Sequence, residues 1–266
     1  MTLSLAFSPC PNDTYVFHAL VHGLVDGAPP VEVTYADVDV TNTEALRGGY
    51  DLVKVSYAAL PWLLDRYALL PCGGALGYGC GPLVLTRGGA ATGTVAVPGD
   101  RTTAYLLFRF WSAEHPPERV EVVPFHEIMP GVAEGRFDAG LVIHEARFTY
   151  QRYGLTAIAD LGEWWQAETG LPIPLGAILA KRETVDPAVA AGWVRASVRH
   201  AWAYPAASQE YVLAHAQELE PDVAAQHIAL YVNKFTEDLG DEGHAAVRAL
   251  LTRAAEAGLT PPVSNL

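Results

Sequence analysis

Basic residues are scarce in this chain. Its 266 residues include 17 of them, three being Lys, against 30 acidic residues, and the formal net charge is −13. No basic block interrupts that deficit, whereas a nucleic-acid binder needs a clustered cationic face, so nucleic acid and anionic membrane are excluded as partners. Cysteine is sparse as well. Cys10, Cys72 and Cys80 are an odd number in a long chain, which argues against a disulfide framework and for reduced thiols. The opening MTLSLAFSPCPNDT has no basic stretch, and its apolar run breaks at Pro9 and Pro11. It reads as neither a signal peptide nor a membrane span, and a cytoplasmic protein is expected. Apolar surface, by contrast, is plentiful: half of the residues are hydrophobic, enough for one large domain or two of ordinary size.

The most informative pattern is an internal repeat. An apolar run, LSLAF, leads into SPCPNDT and a helical pattern, YVFHALVHGL; further along, TVAV leads into PGDRTT and AYLLFRFWSAEH. Each copy continues to a Val-Glu-Val strand, at 31–33 and 120–122. A Gly-x-aromatic-Asp turn, at 48–51 and 135–138, then opens a third apolar strand that ends in a polar residue, Ser56 or His144. The exits GPLVLTR and PLGAILAKR are alike in length and in their basic end.

Strands alternating with helices of this length imply parallel βαβ units, and two such units make two α/β lobes. Open parallel sheets bind ligands beyond the carboxyl ends of their strands, where the loops after Phe7 and Val97, together with Ser56 and His144, all fall. Two lobes facing each other through those edges enclose one cleft. The pattern predicts a discontinuous first lobe, 1–88 and 178–266, and an inserted second lobe, 89–177. Crossings at 87–93 and 174–182 would act as a hinge. Helical spacing runs over 184–204, 205–219, 221–235 and 240–258. The apolar faces of these helices fit either core or the interface of a homodimer.

Several residues could carry chemistry. Thr102 and Thr103 follow Gly99 and Asp100 at the start of the helix AYLLFRF, where a first turn offers N–H groups and a positive dipole end to an anion. Capping by Asp100, Thr102 or Thr103 is the plain structural alternative. In the first lobe Asn12, Asp13 and Thr14 precede a helix, with Asp13 or Thr14 as its expected cap. Cys10, between two prolines, reads as a buried, inert thiol. His144, ending the strand AGLVI, is the sharpest candidate: a neutral imidazole at the cleft rim can act as a general base near pH 7. His18, His22, His200, His215, His227 and His244 fall in predicted helices, and His115 and His126 in connections. No pair has metal-ligand spacing, so no metal site is expected. Ser56 offers its hydroxyl to a substrate, or caps the next turn. Lys54, on the same strand face, supplies positive charge or pairs with an acid such as Asp51. Thr41 and Glu44 have capping-box spacing, with Asn42 between them able to face the cleft. The glycine run at 77–81 lacks the Lys-Ser/Thr ending of a phosphate loop and reads as close backbone approach at the crossing.

Taken together, SPCPNDTYVFHAL, KVSYAAL at 54–60, GYGCGPLVL at 77–85, LVIHEARFTY at 141–150, LPIPLGAILAKR at 171–182 and YVNKFTEDLG at 231–240 resemble the 1,4-dihydroxy-6-naphthoate synthases. These belong to the futalosine route to menaquinone. The resemblance runs in unbroken order over essentially the whole chain. It implies the two-lobed α/β fold of type II periplasmic-binding proteins with a ligand cleft between the lobes. It implies a lyase that splits an anionic small molecule, cyclic dehypoxanthinylfutalosine, without metal or organic cofactor. It also implies His144 as general base, Ser56 and the Thr102–Thr103 pair as cleft positions, the pair holding the naphthoate carboxylate, and Asn42 as a further contact. Two rivals share the fold. The missing signal peptide speaks against a transporter's solute receptor, and the SPCPNDT and VIHEARFTY segments speak against a chorismate dehydratase-like enzyme.

Overall fold

The repeat in the sequence is a repeat of structure. A computed structural model of the chain describes residues 2–216 and 220–263. The first copy runs β1 (Leu3–Phe7), α1 (Pro11–Val21), β2 (Val31–Tyr35), α2 (Val38–Arg47) and β3 (Leu52–Ser56). A 3₁₀ turn, Tyr57–Trp62, and the short strands β4 (Tyr67–Leu69) and β5 (Ala75–Gly77) lead to β6 (Leu83–Thr86). The second copy runs β7 (Thr94–Val97), α3 (Thr103–Trp111), β8 (Arg119–Val122), α4 (Phe125–Glu134) and β9 (Ala139–Val142). It is followed by α5 (Ala146–Thr149), β10 (Thr156–Asp160) and α6 (Leu161–Thr169). The chain returns through β11 (Ile173–Lys181) to a helical tail: α7 (Pro187–Ala203), α8 (Gln209–His215), α9 (Pro221–Tyr231), α10 (Lys234–Glu237) and α11 (Gly240–Glu256).

The two sheets have matching orders, β2-β1-β3-β11-β4, with β5 also on β11, and β8-β7-β9-β6-β10. Within each, the first three strands are parallel, as expected. The fourth is not: β11 runs antiparallel to β3, and β6 antiparallel to β9. This corrects the expected boundaries. Leu83–Thr86 belongs to the second sheet and Ile173–Lys181 to the first, so the chain crosses at 78–82 and 170–172, not at 87–93 and 174–182. The physical reason is that a short, fully buried apolar strand satisfies its backbone beside either sheet, and its composition does not say which.

The Gly-x-aromatic-Asp turns work as clips. Gly48 and Gly135 end α2 and α4 in the left-handed region, with φ of 77° and 83°, which a residue without Cβ adopts freely. Asp51 then accepts the Ser4 amide at 2.8 Å, and Asp138 the Thr94 amide at 2.7 Å, tying the start of each third strand to the start of the first.

In the tail, the inner faces of α7 (Ala190, Val194, Val198) and α11 (Val247, Leu250, Leu251) are buried within the chain. The helix expected over 205–219 divides into a 3₁₀ turn, Pro205–Ser208, and α8; 217–219 lie outside the described residues. The helix expected over 221–235 stops at Tyr231, because Asn233 starts α10 with a capping box closed by Thr236. No described helix is long and apolar enough to cross a membrane.

The glycine run does mark a close approach: a Cβ on Gly81 would lie 2.0 Å from the Gly162 backbone nitrogen. Gly81→Ala is therefore expected to cost about 2 kcal/mol or more in denaturant unfolding. Gly192→Ala, on the exposed face of α7 with nothing within 4 Å, should gain about 0.5–1 kcal/mol. Equal midpoints for Gly81→Ala and the parent would contradict the packing at the crossing.

Candidate active site

The carboxyl ends of β1, β3, β7 and β9 converge on one cavity of about 660 Å³, counting its mouth. Ser8 and Ser56 stand at the ends of β1 and β3, Thr102, Thr103 and His144 in the segments that follow β7 and β9, and residues of α9 and β11 complete the wall.

In the first lobe α1 starts earlier than expected. Pro11 occupies the first helical position, where its missing N–H costs nothing, and Cys10 takes the cap position without a side-chain bond. Asp13 and Thr14 thus lie in the first turn and do not cap it; the Thr14 hydroxyl donates to the Cys10 carbonyl. Asp13 is free to accept from Ser8 Oγ at 2.7 Å and Asn12 Nδ2 at 2.8 Å, and it forms a buried ion pair with Lys54 Nζ. Lys54 is 7% exposed and its stem crosses Gly176, where a Cβ would come within 2.8 Å of Lys54 Cε. Its partner is Asp13 and not Asp51, so this cation is already compensated.

Asn42 lies inside α2, which begins at Val38, so the capping box expected at Thr41 does not form; the Thr41 hydroxyl donates to the Val38 carbonyl instead. Asn42 stands behind the cavity wall. Its Oδ1 accepts the Ser56 amide at 2.8 Å and its Nδ2 donates to Ser56 Oγ at 3.2 Å. Ser56 caps nothing, and its hydroxyl faces the cavity with its proton available.

Thr102 is the N-cap of α3: its Oγ1 accepts the Tyr105 amide at 3.2 Å and donates to the Gly99 carbonyl. Thr103 Oγ1 donates to the Leu175 carbonyl at 3.0 Å and accepts the Ala58 amide at 3.1 Å, joining second lobe to first. With both hydroxyls engaged, what α3 presents is its leading backbone amides, with no acid in the first turn to oppose an anion.

His144 lies two residues beyond β9 rather than at its end. Its φ of 55° is the one positive value at a non-glycine among the described residues, a strain of about 1 kcal/mol that turns the chain sharply into the cavity. Its Nδ1 is 3.2 Å from Cys10 Sγ on the opposite lobe, and Phe125 meets the ring edge-on at 5.4 Å. Burial, then the Lys54 cation, lower its pKa to about 3, well below the near-neutral value expected from sequence. Burial, then the carboxylates of Glu145 and Asp13, hold the Cys10 thiol well above its ordinary range. The pair is therefore a neutral thiol against a neutral imidazole, and Cys10 is no nucleophile. Cys10, His144 and Glu145 do bring ligand-type atoms within 4.8 Å of one another, a grouping that spacing did not show.

Two ring-bearing residues on the wall were not site candidates in the sequence: His227 stood there only as one of six helical histidines, and Tyr231 was not singled out. His227 and Tyr231 come from α9, one turn apart on the same face, with their rings 4.5 Å apart. The four-residue spacing was the available signal. That α9 folds over the strand tips was not.

A profile described as menaquinone biosynthesis matches residues 3–256. The chain belongs to that family. A Streptomyces coelicolor relative named 1,4-dihydroxy-6-naphthoate synthase is 62% identical over 98% of this chain and 95% of its own length. A Thermus thermophilus relative of the same name is 49% identical over 98% and 96%. Among solved structures, a protein from Archaeoglobus fulgidus superposes with a TM-score of 0.90 at 31% identity, over 97% of this chain and 98% of that one. The alkanesulfonate-binding protein of Xanthomonas axonopodis, bound to MOPS, gives 0.73 at 14% identity over 98% and 94%. The family thus has the periplasmic-binding-protein-like fold expected above.

Two outcomes follow for the menaquinone-family site. Lys54→Met removes the cation that depresses His144, so the His144 pKa should rise in an NMR titration; it also leaves Asp13 buried and unpaired, at a cost of about 3–5 kcal/mol. In the folded protein His144 and His227 resist protonation, while in the unfolded chain they take protons below about 6.5. Stability is therefore complete above that pH and declines as the pH falls from 6.5 toward 3. A melting temperature unchanged between pH 7 and 4.5 would contradict these buried neutral rings.

Proposed function

We propose that this chain, a menaquinone-biosynthetic enzyme of the naphthoate synthase type, splits cyclic dehypoxanthinylfutalosine into 1,4-dihydroxy-6-naphthoate and a sugar-derived fragment, with His144 as general base. The observation that carries this reading is the near-full-length 62% identity to the Streptomyces coelicolor synthase. His144, the one non-glycine residue with a positive φ among the described residues, lines the cavity between the lobes, which supports its role.

The chain's own groups account for the chemistry. The leading amides of α3 donate to the substrate carboxylate. Ser56 Oγ, already accepting from Asn42, donates its proton to a substrate oxygen. His144 points Nδ1 toward Cys10; when that nitrogen carries the proton, Nε2 presents its lone pair to the substrate. An anionic ligand opposes the Lys54 cation and raises the proton affinity of the imidazole, so the base strengthens on binding. The base takes a proton from a substrate hydroxyl, the O–H electron pair forms a carbonyl as the adjoining carbon–carbon bond breaks, and the pair from that bond passes into the ring fragment, which takes back the proton and becomes the aromatic dihydroxynaphthoate. On this reading the partner is a small anion and the protein works in the cytoplasm.

Incubation with cyclic dehypoxanthinylfutalosine should release 1,4-dihydroxy-6-naphthoate, detected by absorbance and mass. Unchanged substrate held tightly would point to a solute receptor and sink the proposal. His144→Ala should retain substrate binding and lower kcat by about 10²- to 10⁴-fold, the usual worth of a general base. Turnover near the parent's would refute the base assignment.

A further inference from the structure

His144 is not the only imidazole on the cavity wall. His227, on the tail helix α9, is 1% exposed and lines the same cavity, yet neither ring nitrogen has a hydrogen-bond partner among the described residues. The ring's other contacts are aromatic: Tyr231 at 4.5 Å on its own helix, and Phe148 of the second lobe, edge-on at 6.3 Å. Burying two polar nitrogens without partners is unfavourable, and native folds retain such groups where something outside the fold completes them.

We infer that His227 is a substrate-binding residue: its neutral ring gives one N–H donor and one nitrogen acceptor to a hydroxyl-bearing part of the substrate. A neutral imidazole carries one donor and one acceptor, and a hydroxyl offers the complementary pair, whereas a carboxylate matches only the donor. Burial first, and then the Lys54 cation, keep the ring in this form. The two histidines divide the labour. His144 enters from the second lobe as the base, and His227 holds hydroxyls from the first-lobe side of the same cavity. Tyr231, whose phenol burial keeps protonated, packs its ring 4.5 Å from that of His227.

This inference takes its substrate from the proposed function, and the experiment separates the two. His227→Leu and His227→Asn would be compared with the parent in thermal melts and in turnover of cyclic dehypoxanthinylfutalosine. We expect at least one variant to melt within about 5 °C of the parent, because no intramolecular bond is lost. In that variant kcat/KM should fall by about tenfold or more, since substrate groups lose their partner. Melts lowered by more than that margin in both variants, or a well-folded variant turning over within tenfold of the parent, would overturn the inference. Should the parent leave this compound unchanged, the proposed function fails, and the melts alone decide on His227. A variant as stable as the parent then upholds nitrogens held for a ligand, and a deep loss in both refutes it.

Discussion

Each sheet is completed by a strand that the chain makes on its way to or from the other sheet, and the position of the cavity depends on this exchange. β11 pairs with β3 from Gly176 opposite Ser56 onward, so its first residues overshoot the tip of β3. That overshoot carries β5, places Leu175 and Gly176 on the cavity wall, and puts the Leu175 carbonyl where Thr103 of the other lobe can reach it. At the first crossing, Gly81 packs on the Gly162 backbone, and Arg147 donates to the Gly81 carbonyl at 2.8 Å while pairing with Asp160 at the end of β10. These links tie the two lobes together beside the line where the strand tips meet.

Charge at that line is managed by compensation. A buried ion pair such as Lys54–Asp13 is weak support for stability, because desolvation offsets most of the attraction. What it provides is a fixed cation beside His144 and His227, and both rings are pushed toward neutrality by it. In a chain with a net charge of −13, the cavity wall thus carries a Lys54 cation matched by Asp13 and, at the amide end of α3, a first turn without an acid.

The local layer of this structure was legible in the sequence and the long-range layer was not. The repeat, the clip turns at Gly48 and Gly135, and the placing of Ser56, Thr102, Thr103, Lys54 and His144 near strand ends all follow from short-range chemistry that a sequence displays directly. The helix starts at Cys10 and Val38 were misplaced because Pro11 and Asp37 begin those helices ahead of the more conspicuous Asp13 and Thr41. The antiparallel fourth strands and His227 were out of reach for a different reason. Which sheet β6 joins, and what α9 covers, are settled by tertiary packing between segments far apart in the chain, and period and propensity are silent on that.

The contacts across the cavity are also the contacts that a ligand must live with. Cys10–His144, Thr103–Leu175, Thr103–Ala58 and Asn42–Arg101 each join the lobes through a single bond to a residue at or behind the wall. Each is worth about 0.5–1.5 kcal/mol net, and the bidentate Arg152–Glu220 pair, exposed and screened by water, adds little. Against them stand the backbone strain at His144 and the unpartnered nitrogens of His227. These costs do not decide whether the lobes stay together, because one buried apolar cluster runs from Val53 and Tyr57 of the first lobe to Leu107, Leu141 and Trp165 of the second. They sit instead on the cavity wall, where both His144 and His227 would bear on any ligand that enters.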